Sequence, residues 1–270
     1  MKRDQKKNVN RKNWSLAKLI IIAEFEAKIF FNSANNIIGQ LVIEPVAYIA
    51  LLVAGLQGWN RVIQIDNGSF VDYSTFALPG ILAMQLVRAF ARVIYRVTVD
   101  RRWGLQALKF IAGTGIFAYI FGMTLMPVVI FLIQTVVSVI VISILGCQFT
   151  MTGLTIMTGL GMLVVIFWTC MAIIVTTAIK NYTQRDLVIN LSLLPLMFSA
   201  PVLYPLNSAP NYIKMISFFN PLTYQVTAMR AAFTQSAFTS SLWVIVFLSL
   251  LSFLICALVL SRAELLSTEH

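Results

Sequence analysis

Residues 198–230 read FSAPVLYPLNSAPNYIKMISFFNPLTYQVTAMR, and this stretch decides how the chain folds. An apolar helix runs into Pro201 and Pro205, with Pro195 just upstream, and each proline leaves backbone carbonyls without helical partners. In hydrocarbon such carbonyls survive only where protein or a water-filled cavity satisfies them. The sequence therefore predicts a re-entrant hairpin with polar groups gathered at its break. From Asn207 to Ser241 the chain stays apolar, with Tyr212, Ile213, Met215, Ile216, Phe218 and Phe219 nearly in a row, which suits a helix dipping back into the outer leaflet.

Around this hairpin the chain is equally apolar. With 59% hydrophobic residues, 11% charged and a mean hydropathy of +0.84 over 270 residues, it belongs in a bilayer. Apolar runs long enough to cross about 30 Å lie near Ile37–Leu56, Thr75–Val97, Phe117–Leu145, Leu154–Ile179, Leu187–Leu206 and Leu242–Leu260. The expectation is an all-α integral membrane protein of six spans, with residues 1–36 as a cytoplasmic tail and interfacial helix, 37–262 as the transmembrane domain and 263–270 as a second cytoplasmic tail. Lysine and arginine set the orientation: with a cytoplasmic N-terminus, 17 of the 20 fall inside and only Arg61, Lys214 and Arg230 outside. Both termini are then cytoplasmic, and the net charge of +10 is directed at anionic membrane lipids, not nucleic acid.

Two segments read as amphipathic. Trp14–Phe31 carries Lys18, Glu24, Glu26 and Lys28 among apolar residues and is expected to lie in the interface, with Glu24 and Lys28 spaced for an i,i+4 pair. Between spans two and three, DRRWGLQALKFIA (100–112) places Arg102, Gln106 and Lys109 on one helical face and Leu105, Leu108, Ile111 and Ala112 on the other. A polar edge offered to a cytoplasmic protein and a headgroup-facing loop helix both fit.

Ionisable groups within spans call for a reason. Arg88, Arg92 and Arg96 recur at i+4 on span two, and Glu44 precedes Pro45 in span one. At about 1.5 Å per residue, Glu44 lies roughly 10 Å deep and Arg92 to Arg88 roughly 8 to 14 Å deep, so they can meet. Either Glu44 neutralises one arginine while the others snorkel to the headgroups, or the stripe borders an entry gate and grips an anionic headgroup. Gln85, like Gln134, sits within an apolar span as an interhelical hydrogen-bond partner or a substrate ligand.

The chain has no phosphate-cradling G-x-x-x-x-G-K-[ST] loop, its only histidine is His270, and Cys147, Cys170 and Cys256 lack paired spacing. No catalytic constellation can be assembled, no metal site is expected, and the chain is not expected to be an enzyme.

The order of parts in the hairpin resembles the last extracellular hairpin of type-2 ABC exporter permeases, through Tyr204-Pro205-Leu206 and Asn220-Pro221-Leu222 followed by Arg230. YSTFALPGILAMQ (73–85) is similar to the entry to span two in drug-exporting and lipooligosaccharide-exporting members, whereas Glu44-Pro45 is closer to capsule and O-antigen exporters. The link after span two departs from the family pattern: Gly104 is followed by Leu105 and Gln106, without the usual Thr and acidic residue.

This resemblance implies a permease subunit in the bacterial cytoplasmic membrane, paired with a second copy or homologue and with two copies of a separate cytoplasmic ABC ATPase that carries the ATP and Mg. It implies ATPase coupling through Arg101, Arg102, Gln106, Lys109, Glu24 and Lys28, and an external gate at Pro201, Tyr204, Pro205, Asn220, Pro221 and Arg230. The Arg-Tyr-rich stretch and Leu-Gly-x-x-Trp motif of many polysaccharide permeases are absent before Ile37, which favours a drug or other small amphiphile over a lipid-linked glycan of capsule, O-antigen or teichoic-acid type. An ATP-independent channel or assembly or immunity factor is the reading from another class.

Overall fold

A computed structural model describes residues 20–22, 24–28, 39–53, 55, 62–64, 70–147, 149–235 and 240–268. The fold is essentially all-α. Its principal helices are α1 (Glu44–Tyr48), α2 (Tyr73–Arg102), α3 (Leu105–Ile111), α4 (Ile116–Ile144), α5 (Met151–Ala178), α6 (Tyr182–Ser199), α7 (Asn211–Phe219), α8 (Pro221–Phe233) and α9 (Ser241–Thr268). Among the described residues four helices are long and apolar enough to cross a membrane: α2, α4, α5 and the Ser241–Arg262 part of α9.

The other two expected spans are interrupted, each for a reason written in its prolines. In the first, wider π-helical turns at Gly39–Ile43 and Ile49–Val53 flank α1, where Pro45 deletes an amide donor from the ladder. In the fifth, the helix expected to reach Leu206 stops at Ser199 and continues as extended backbone at Ala200 before a single turn at Leu206–Ser208. The first-span bound at residues 36 and 37, and the tail before residue 20, lie outside the described residues.

Between spans one and two the sequence suggested no strands, yet Val62–Gln64 (β1) pairs antiparallel with Phe70–Asp72 (β2), matching Val62 to Asp72 and Gln64 to Phe70. This ribbon leads directly into α2, whose N-cap is Asp72 in extended conformation.

Helix α2 is the axis of the molecule. Its hydrophobic window is 89% buried, against 39%, 50% and 28% for α4, α5 and α9, because it packs against α4, α5, α6 and α8 together. Trp168 on α5 links this core to α8, packing edge-on against Phe90 (5.5 Å) and donating its indole N–H to Gln225 Oε1 at 2.9 Å. At its far end α2 turns into α3 at Gly104, whose φ of +70° is open to glycine but strained for other residues.

Gly80 is required by a close backbone approach. A methyl group there would overlap the Val202 backbone carbonyl, so the broken segment after α6 lies directly on α2. Gly80→Ala is expected to lower the melting temperature in detergent, at an overpacking cost of about 1–3 kcal/mol. Gly159, exposed on α5 with nothing near its missing methyl, is the control: its alanine variant should melt at or above the wild-type temperature.

Candidate functional site

The arginine ladder of α2 meets carboxylates from three directions. Arg88 pairs with Glu44 and donates to the Tyr48 hydroxyl, its guanidinium 5.1 Å from the Tyr48 ring. One turn of α1 therefore supplies both counter-charge and aromatic face. Glu44 thus meets the stripe, as its depth suggested, at Arg88.

Two turns along, Arg96 makes a forked contact with Glu26, Nε to Oε2 at 2.7 Å and Nη2 to Oε1 at 3.0 Å. Its Nη1 reaches Asp100 Oδ1 at 2.7 Å. Lys109 on α3 completes the cluster, with Nζ 2.6 Å from Asp100 Oδ2 and 3.3 Å from Glu26 Oε1. Two cations and two carboxylates are thereby neutralised, with the Asp100 side chain fully buried. Such a junction ties residues 24–28, α2 and α3 into one unit, helped by Ile22, which packs where Gly122 on α4 leaves room for it.

The polar edge expected on α3 is engaged within the protein at Gln106 and Lys109. Gln106 and Lys109 turn inward, drawn by the buried acids, while Trp103, Leu108 and Ile111 are 74%, 59% and 64% exposed. Arg101 donates to the Thr176 carbonyl and Arg102 to that of Lys180 at 2.8 Å, so both hold the C-terminal end of α5. Arg102 also lies over the Tyr182 ring. Glu24 and Lys28 form their pair at 2.7 Å on the exposed face, where the Lys28 hydrogen bond and charge hold the Glu24 carboxyl below its ordinary range.

Arg92 stands between the two paired arginines and has no ion-pair partner among the described residues; its Nε is buried without an acceptor. It lines a cleft of about 670 Å³ between α1, α2 and α6, walled by Glu44 and Arg88 on one side and by Leu193, Leu194 and Met197 on the other. Gln85 is buried deeper along α2, with both amide atoms unpartnered, and does not line this cleft.

At the opposite end of α2 the broken hairpin solves its carbonyl problem with side chains. Arg230 is 6% exposed, 3.6 Å over the Phe76 ring, and donates to the carbonyls of Phe76 (3.1 Å), Pro201 (2.9 Å) and Val202 (3.2 Å). The Tyr73 hydroxyl donates to the Leu203 carbonyl and the Tyr204 hydroxyl to that of Phe198. Asn220 caps α8 by accepting from Leu222 N at 2.9 Å, while its amide donates to the Leu196 carbonyl at 2.7 Å and to Ser199 Oγ at 2.8 Å. Pro221 at the first turn of α8 forfeits no helical bond. The Asn-Pro-Leu and distant Arg of the sequence are thus the fasteners of one break.

Residues 12–234 match the ABC-2 type transporter family. The chain belongs to this family. Over 214 residues it is 26% identical to a Cyanophora paradoxa protein described as a transport permease (ycf38), an alignment covering 77% of this chain and 72% of that one. This ABC-2 protein is accordingly a multi-pass membrane protein, and the ladder, the junction and the hairpin all lie within the matched segment.

Two measurements test the fasteners. Arg230→Lys keeps the charge but loses the fork that spans three carbonyls, and should cost about 2–4 kcal/mol with a matching loss of folded yield. For the junction, a double-mutant cycle of Asp100→Asn with Lys109→Met should return a coupling energy of about 1–3 kcal/mol in thermal unfolding; additive effects would show that the two charges do not act together.

Proposed function

We propose that this ABC-2 protein is the permease subunit of an ATP-driven exporter that moves a small amphiphile out across the cytoplasmic membrane. The observation that carries this reading is the α1–α2–α6 cleft, apolar on its α6 wall and cationic on its α2 wall, opening beside a membrane-spanning helix. A substrate with one polar end and a hydrocarbon body matches both walls. The similarity to a transport permease and the absence of a nucleotide-binding motif in this sequence support a division of labour, with ATP hydrolysed on a separate subunit.

In this reading the α3 end of the molecule is cytoplasmic and the hairpin external, the orientation given by the lysines and arginines. The two interrupted segments, residues 39–53 and α6 with its continuation, then count as the first and fifth of six spans. The exposed stripe of Leu187, Leu191, Leu194 and Phe198 on α6 adjoins the cleft and suits a second permease copy closing it. Transport follows as a population shift: ATPase closure displaces α3 and residues 24–28, and the buried junction passes that movement to α2 and so to the cleft and hairpin.

Mild-detergent purification of the tagged chain from its native membrane should retain a P-loop ATPase in stoichiometric amount, identified by mass spectrometry. Trp103→Ala at the exposed α2–α3 corner should reduce stimulation of that ATPase about tenfold while leaving the permease melting temperature unchanged. A complex that stays intact and active with no ATPase would overturn the exporter reading.

A further inference from the structure

The three arginines of α2 share a spacing but not an environment. Arg88 pairs with Glu44 and Arg96 with both Glu26 and Asp100, whereas Arg92 makes no ion-pair contact among the described residues, with Glu44 near it in the cleft but already engaged by Arg88. Taken with Lys109, the group holds four cations against three carboxylates, leaving one positive charge. Arg92 is the cation of the four without a direct ion pair.

A guanidinium without a direct counter-ion at membrane depth is costly, and so is a buried Nε–H without an acceptor. One oxyanion removes both penalties, since two of its oxygens match the guanidinium fork. Arg92 also stands at the boundary of two spaces. On one side is the α1–α2–α6 cleft, which adds Asn190 as a further polar group; on the other is a smaller cavity of about 160 Å³ between the paired Glu26 and Arg96 and the α4 residues Met123, Met126, Pro127 and Ile130. Anything held at Arg92 therefore keeps its charge at the α2 wall and its apolar part against α6. Glu44 on the same wall disfavours a headgroup of higher negative charge.

We infer that Arg92 is the headgroup reader of the cleft, and that its ligand is an amphiphile bearing a single phosphate or comparable oxyanion, with its hydrocarbon along Leu193, Leu194 and Met197 of α6. This inference rests on the permease reading and narrows its substrate class. Neither neighbour substitutes for Arg92, because breaking the Arg88 or Arg96 pair leaves a carboxylate stranded.

The test uses the full chain in dodecyl maltoside with its co-purified ATPase. Native mass spectrometry follows retention of added dioleoylphosphatidylglycerol or dioleoylphosphatidylcholine. The phosphatidylglycerol adduct should persist at one per chain and the phosphatidylcholine adduct should not. Arg92→Gln should weaken phosphatidylglycerol retention about tenfold or more, and Arg92→Lys, which keeps the charge without the fork, about threefold. Unchanged retention in Arg92→Lys overturns the proposal even where Arg92→Gln fails to accumulate, and so does equal retention of the zwitterionic lipid. Displacement of the lipid by inorganic phosphate alone would show a free-anion site and likewise overturn it. ATPase stimulation with lipid retention indifferent to Arg92 sinks this inference only; absence of an ATPase sinks the permease reading while headgroup binding stays measurable.

Discussion

Everything at the hairpin end of this molecule follows from one constraint: a polypeptide cannot break its helix inside an apolar region without re-satisfying the carbonyls it frees. Between Leu196 and Leu203 the backbone leaves α6, and donors converge on it from Tyr73, Tyr204, Asn220 and Arg230. These donors come from three separate parts of the sequence, so the break can form only when α2, α6 and α8 are already side by side. Gly80 is part of the same solution, since the Val202 carbonyl occupies the space a side chain would need. Arg230, the one arginine of the hairpin, is thereby consumed by structure: its charge answers backbone dipoles and the Phe76 ring.

The basic end is governed by the complementary rule that buried charge must be matched. Asp100 lies fully buried because Arg96 and Lys109 both reach it, and Glu26 enters the same network from a helix that precedes it by more than seventy residues. Removing any one member strands the rest. The junction is consequently stiff in the sense that matters for mechanism: residues 24–28 and α3 cannot shift relative to α2 without exposing an unpaired ion to an apolar surround.

What could be read from the sequence divides along these same lines. The break after α6 was legible because prolines in an apolar run admit few outcomes, and Asn-Pro before an amphipathic helix is a capping signal in its own right. The ladder was legible as a stripe, but its pairings were not, because i+4 spacing makes Arg88, Arg92 and Arg96 equivalent and depth counted from span ends resolves little finer than a turn. Glu44 chose Arg88 on account of Tyr48, one turn further along α1, which contributes a hydroxyl and a ring. That Lys109 is engaged was not legible for a related reason: helical periodicity finds a polar face but not its partners, and of the two acids that hold Lys109, Glu26 is remote in sequence. The β1–β2 ribbon carries three residues per strand, too few for an alternating pattern to stand out.

Helix α2 joins the two solutions. Within its thirty residues it presents Tyr73, Phe76 and Gly80 to the hairpin, Arg88 and Arg92 to the cleft, and Arg96 and Asp100 to the junction. Each end is pinned by buried polar contacts that tolerate little sliding, while the middle faces a cleft in which Arg92 makes no ion pair among the described residues. The junction, the helix and the carbonyl clasp are therefore in series along one element. Burying charges at one end and backbone carbonyls at the other fixes the register of α2 twice, with the cleft lying between the two fixed points.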